Sequence, residues 1–134
     1  MKKISQVKLN YIQRHILVVD DESQICMFVG VILDGHGYEV THCTNSVEAL
    51  DIFSINPYMF DLVLTDQNMP KMSGLELVKK MHAIRENIPV ILFTGHDVDE
   101  VKASTIGVNI AGYINKPLQR QVLLNEIAEH LSVS

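Results

Sequence analysis

The chain has 134 residues, 47% hydrophobic and 20% charged, which fits one ordinary globular domain and excludes disordered, collagenous and multidomain classes. Eleven Lys and Arg against sixteen Asp and Glu give a net charge of −5, so nucleic-acid binding is not expected, because phosphate backbones reward positive charge. Cys26 and Cys43 lack CxxC spacing and the longest apolar run, 25–33, is far short of the ~20 residues a membrane span needs, so the chain reads as a soluble cytoplasmic protein with reduced thiols and no membrane association.

Residues 1–14 hold Lys2, Lys3, Lys8 and Arg14 and no acid, carrying +4 while the remainder carries −9. Ile4, Val7 and Tyr11 have helical spacing there, but the segment reads as a basic arm or linker stub ahead of a domain at 15–134. From residue 15 two kinds of segment alternate. His15 to Val19 is a short β-branched run ending on Asp20-Asp21, the kind of strand buried on both faces of a parallel sheet. Glu22 to about Asp34 is helical, with Ile25, Phe28, Val29, Ile32 and Leu33 on one face, and Gly35 and Gly37 supply stop signals. Tyr38 to Cys43 reads as a strand, and Ser46 to about Asn56 as a helix stopped by Pro57. Phe60 to Thr65 is a strand, followed by a helix from Ser73 to about Glu86 with Leu75, Val78 and Met81 inward. A strand opened by a proline runs from Pro89 to Thr94. A weaker helix follows from Asp97 to about Ile106, then a short strand from Ala111 to Asn115 and a last helix from Leu118 to about Leu131. Strand–helix alternation of this kind predicts an α/β domain: a doubly wound, flavodoxin-like parallel sheet of five strands in the order 2-1-3-4-5, flanked by five helices.

In such a sheet, ligands bind beyond the carboxyl ends of the strands, where strand order reverses. The first strand ends on Asp20-Asp21, the third on Thr65-Asp66, the fourth on Thr94-Gly95 and the fifth on Asn115-Lys116-Pro117. Three carboxylates, a hydroxyl and a lysine are therefore expected at one sheet edge. Two like charges ~4 Å apart repel by about 4 kcal/mol at an effective dielectric of 20, so protons or a cation must relieve the cluster. Carboxylate and carbonyl oxygens suit Mg²⁺ or Mn²⁺ rather than zinc. The six histidines (His15, His36, His42, His82, His96 and His130) show no ligand spacing. A cation plus Lys116 would attract a phosphoryl group, a carboxylate can be its nucleophile, and Thr94 offers a hydroxyl donor beside the open space of Gly95.

The blocks 16–22 (ILVVDDE), 61–74 (DLVLTDQNMPKMSG), Thr94-Gly95 and Lys116-Pro117 resemble the receiver domain of bacterial two-component response regulators, over about residues 15–132. The resemblance implies that Asp66 accepts a phosphoryl group from a histidine kinase or histidine phosphotransfer protein. It implies Mg²⁺ held by Asp21, Asp66 and the main-chain carbonyl of Asn68, with Asp20 acting mainly through a water of the ion. Lys116 would bridge to the phosphoryl group, its bond to Pro117 would be cis, and Thr94 and Tyr113 would form a switch pair. Such a chain is a switch with only self-catalysed phosphotransfer and slow autodephosphorylation, not a conventional enzyme. It would signal through the surface of the fourth helix, fifth strand and fifth helix to an output protein that the sequence does not name. Asn68 and His96 match positions lining phosphate access, and nothing is read from Gln67.

Taken singly, each residue has a plainer role: Asp20-Asp21 as a helix cap, Asp66 as a turn residue, Lys116 as a solvated lysine, Tyr113 as packing. A phosphohydrolase would want an acid where Asn68 stands, and a flavin or nucleotide binder would want a phosphate loop where Asp20-Asp21-Glu22 stands. A cobalamin module would want a glycine where Glu39 stands. The chain stops after the fifth helix, so the expectation is output through a protein partner. The alternatives are a receiver excised from a hybrid sensor histidine kinase and a phosphate-independent pseudo-receiver used for docking.

Overall fold

The strands LVLTD and VILFT are buried at every position, and they lie side by side inside the sheet. The computed structural model describes residues 13–131. It contains β1 (His15–Val19), α1 (Ser23–Asp34), β2 (Glu39–Cys43), α2 (Ser46–Ile55), β3 (Leu62–Asp66), α3 (Gly74–Ile84), β4 (Val90–Thr94), α4 (Val98–Ser104), β5 (Gly112–Asn115) and α5 (Arg120–His130). The strands pair in the order β2-β1-β3-β4-β5, and all four pairings are parallel. This is the doubly wound, flavodoxin-like sheet expected from the alternation. The proposed arm lies outside the described residues except at its end. There Arg14 accepts a hydrogen bond from Glu39 N at 2.8 Å and pairs with Asp61 at 3.7 Å.

Alternate strand residues feed two apolar layers, as the two-residue period of a strand requires. On one face Ile16, Val18, Leu62, Leu64, Ile91 and Phe93 meet α1 and α5. On the other, Leu17, Val19, Val63, Val90 and Leu92 meet α2, α3 and α4. Two inward faces are rotated from the expectation. In α1 Cys26 is buried and Phe28 is 45% exposed, because the centre of the inward stripe runs through Cys26, Val29 and Leu33. In α3 Leu77 is buried and Leu75 only partly.

Helix starts follow cap chemistry. Asn45 accepts from Val47 N and Glu48 N ahead of α2, and Asp97 accepts from Asp99 N ahead of α4. Ser73 and Glu76 form a reciprocal capping box at α3. Pro57 not only stops α2 but opens a short 3-10 turn, Pro57–Met59, that the alternation did not reveal. The Arg85 guanidinium clamps that turn by donating to the Pro57 and Phe60 carbonyls at 2.9 and 2.6 Å. Among the described residues no helix is long and apolar enough to cross a membrane.

Candidate functional site

Each strand stops where its chain turns into a helix, and the stops of β1, β3, β4 and β5 deliver the polar groups to one edge. Asp20 follows β1 and is fully buried, Asp66 is the last residue of β3 and buried, and Asp21 is exposed. Carboxylate oxygens of all three lie within 4.8 Å of one another. Lys116, just after β5, reaches across with its Nζ 2.9 Å from Asp20 Oδ2, 3.3 Å from Asp66 Oδ1 and 3.6 Å from Glu22 Oε1. The Lys116–Pro117 peptide is cis.

Asp20 divides its oxygens. Oδ1 accepts from Glu22 N at 2.9 Å, tightening the turn into α1. Oδ2 is buried, and the Lys116 ammonium 2.9 Å away is both its counter-charge and its partner. Burial and the neighbouring Asp20 charge raise the Asp66 pKa above the ordinary carboxylate range, although Lys116 and the Asn68 N–H pull the other way. Burial pulls the Lys116 pKa down, but pairing with Asp20 and Asp66 outweighs it, and the ammonium is held more firmly than an exposed lysine's. The sulfur groups nearby are inert: burial pushes the thiols of Cys26 and Cys43 up to about 11.

Thr94 ends β4 fully buried. Its Oγ1 accepts from His96 N at 2.9 Å, which leaves its hydroxyl proton free to donate. Asn115 Nδ2 donates to His96 O at 3.0 Å and Lys116 N to Thr94 O at 2.7 Å, so the exits of β4 and β5 are tied together. Asn68 is exposed beyond Asp66. Tyr113 does not join this edge. Its hydroxyl shares a 2.6 Å hydrogen bond with Thr105 Oγ1 at the end of α4, and Lys102 Nζ sits 5.6 Å from its ring centre.

The structure thus brings Asp20, Asp21, Asp66 and Lys116 together, as strand ends of this topology require. Two features were not expected from the sequence. Gln67 anchors the β3–α3 loop through its side chain. Glu126, Glu129 and His130 gather their ligand atoms within 4.8 Å at the end of α5, a grouping that the i, i+4 spacing of Glu126 and His130 signals in the sequence.

Donor chemistry at the sheet edge fits a hard divalent cation. Three clustered carboxylates stand against one ammonium, an excess of negative charge on oxygen donors.

Comparisons with known proteins agree with this geometry. The sequence matches the family model of the response regulator receiver domain over residues 16–128. It is 38% identical to the CAI-1 autoinducer sensor kinase/phosphatase CqsS of Vibrio cholerae, over 87% of this chain and 17% of that protein. It is 32% identical to the transcriptional regulatory protein ZraR of Klebsiella oxytoca, over 91% of this chain and 28% of that one. The chain spans less than a third of the length of either relative. Among solved structures, a response regulator receiver domain protein from Clostridium thermocellum superimposes with a TM-score of 0.79 at 36% identity, covering 88% of this chain and 94% of that one. The chemotaxis response regulator CheY4 of Vibrio cholerae superimposes with a TM-score of 0.81 at 30% identity, covering 90% and 100%.

Proposed function

The chain belongs to the response regulator receiver domain family of two-component systems, and from that premise we propose that it is a phosphorylation-controlled switch whose acceptor is Asp66, supplied by a histidine kinase or a histidine phosphotransfer protein. The observation that carries the reading is the placement of Asp66: a buried carboxylate at the end of β3 with Lys116 Nζ 3.3 Å away and two further acids beside it.

An Asp66 carboxylate oxygen attacks the phosphorus of the donor phosphohistidine. The P–N bond breaks, its electron pair stays with the imidazole nitrogen, and an acyl phosphate forms on Asp66. Lys116 holds an ammonium at the position where phosphoryl oxygens arrive, already aimed by its contact with Asp66. Thr94 donates its free hydroxyl proton to a phosphoryl oxygen, and Gly95 carries no side chain to obstruct the group. Asp20, Asp21, Asp66 and the Asn68 main-chain carbonyl would hold Mg²⁺, or Mn²⁺ in its place. The ion supplies counter-charge for the carboxylates and for the incoming phosphoryl oxygens.

Phosphorylation then biases a two-state element. Once Thr94 is drawn to the phosphoryl group, Tyr113 leaves Thr105 and turns inward, and the α4–β5–α5 surface changes for an output partner. The receiver family acts as a switch rather than as an enzyme with turnover, and this chain is read in the same way, working in the cytoplasm. Because CqsS is named a sensor kinase/phosphatase and ZraR a transcriptional regulatory protein, the same receiver suits either a hybrid sensor kinase or a regulator.

Intact mass after incubation with acetyl phosphate tests the reading. A gain of one phosphoryl group is expected with Mg²⁺, none with chelator, and none in Asp66→Asn. A folded protein that gains nothing from acetyl phosphate or from a phosphorylated phosphotransfer protein would be a phosphate-independent docking module instead.

A further inference from the structure

Gln67 follows Asp66 in the chain, yet its side chain turns away from the acidic cluster. Three of its hydrogen-bonding groups tie β4 and the first turn of α3 to the end of β3. The main-chain N–H donates to Phe93 O on β4 at 3.1 Å, extending the β3–β4 ladder past the end of β3. The main-chain carbonyl accepts from Gly74 N at 2.9 Å, and the side-chain Oε1 accepts from Leu75 N at 2.9 Å. One residue therefore closes both ends of the 68–73 loop.

The closure is tight. A Cβ at Gly74 would stand 2.3 Å from the Asp66 carbonyl oxygen, so only glycine lets α3 approach β3 this closely. Lys71 takes a left-handed φ of 71° to complete the turn. The capping box of Ser73 and Glu76 satisfies other groups of the first turn of α3, so Gln67 is an addition to the cap rather than a substitute for it.

Peptide planarity links this closure to the site. The Gln67 carbonyl and the Asn68 N–H belong to one rigid trans plane and point in opposite directions. Fixing the carbonyl on Gly74 aims the Asn68 N–H the other way, and that N–H faces the Asp66 carboxylate. The Gln67–Leu75 bond keeps the first turn of α3, and with it Gly74, in place.

We infer that Gln67 is a positioning residue: its side-chain carbonyl locks the β3–α3 loop so that the 67–68 peptide holds the Asn68 N–H toward the Asp66 carboxylate, and this orientation of Asp66 sets how tightly the cluster takes a divalent cation. The inference rests on the reading of Asp20, Asp21, Asp66 and the Asn68 carbonyl as a Mg²⁺ site.

The test compares the parent, Gln67→Met (similar length, no acceptor) and Gln67→Glu (acceptor kept), all shown folded by circular dichroism at the working temperature. Amide exchange of Asn68 and Leu75 is followed by NMR without metal, and Mg²⁺ binding by calorimetry. In Q67M both amides should exchange faster, and the Mg²⁺ Kd should rise roughly three- to tenfold, the worth of one ordinary hydrogen bond. Q67E should bind at least as tightly as the parent. If Q67M fails to fold, Gln67→Asn, too short to reach Leu75, carries the same expectation. A Q67M protein with a loosened Leu75 amide but the parent's Kd would reduce Gln67 to a cap of α3 and overturn the inference. Failure of the parent itself to bind Mg²⁺ would bring down the metal-site reading as well, and that would be visible before any variant is examined.

Discussion

Asp66 is an acid held in the fold at some cost, because burial and the charge of Asp20 both disfavour its ionised form more than Lys116 favours it. A carboxyl whose folded pKa is raised binds its proton more tightly folded than unfolded. That contribution is fully present below the ordinary carboxylate pKa and is lost as pH rises through the raised value. Metal-free Asp66→Asn should therefore be more stable than the parent at pH 7.5, with the gap closing as pH falls to the ordinary carboxylate range. Urea unfolding in the presence of chelator measures this, and a variant less stable at pH 7.5 would show that the attraction of Lys116 dominates. At this scale the acids and Lys116 were legible because each ends a strand or lies within two residues of its last one, and strand ends are the best-defined points of an alternating sequence. Gln67 was not legible: its partner Leu75 is eight residues on, and only the loop geometry brings the two together.

Among the helices, α4 is the least anchored. It has seven residues, and the one it buries is Val101. Its far end is pinned by the Thr105–Tyr113 bond to β5, which competes with any inward turn of Tyr113. Thr105→Val removes the partner hydroxyl at nearly constant volume. It should speed phosphorylation of Asp66 by acetyl phosphate roughly two- to tenfold, the range one hydrogen bond provides, with the Tyr113 ring resonances shifted in the unphosphorylated protein. An unchanged rate with shifted resonances would mean that the bond holds α4 in place without governing the switch. Helix type and order were readable from the 3.6-residue period, but the rotation of α1 was not. Phe28 looks like core by hydrophobicity, whereas the position of the stripe is decided by where the helix meets Ile16 and Val18 on the sheet. The 3-10 turn at Pro57 was hidden because a proline after an apolar helix signals a stop without specifying the conformation of the next residues.

Across the whole domain, stability is concentrated in the middle of the sheet. β3 and β4 are buried throughout, while β2 and β5 each bury one residue. Amides of β1, β3 and β4 should exchange only through global unfolding, and those of α4 at least about a hundredfold faster through local opening. Hydrogen-exchange mass spectrometry would show this, and equal protection of α4 and β3 would contradict a switch element drawn from the weakly held part of the fold.

Direction matters at this scale too. The chain enters β1 at the amino edge of the sheet, and α5 runs back to that same edge, where Glu126 and His130 reach the start of β5 at Gly112. Five residues of strand separate that edge from Asp66, about 16 Å at the usual rise. A dye, affinity tag or surface tether joined near residue 13 or residue 131 would thus be held on the side away from Asp66. Anchored at either of these positions, the molecule would present its acidic edge outward to whatever approaches from solution.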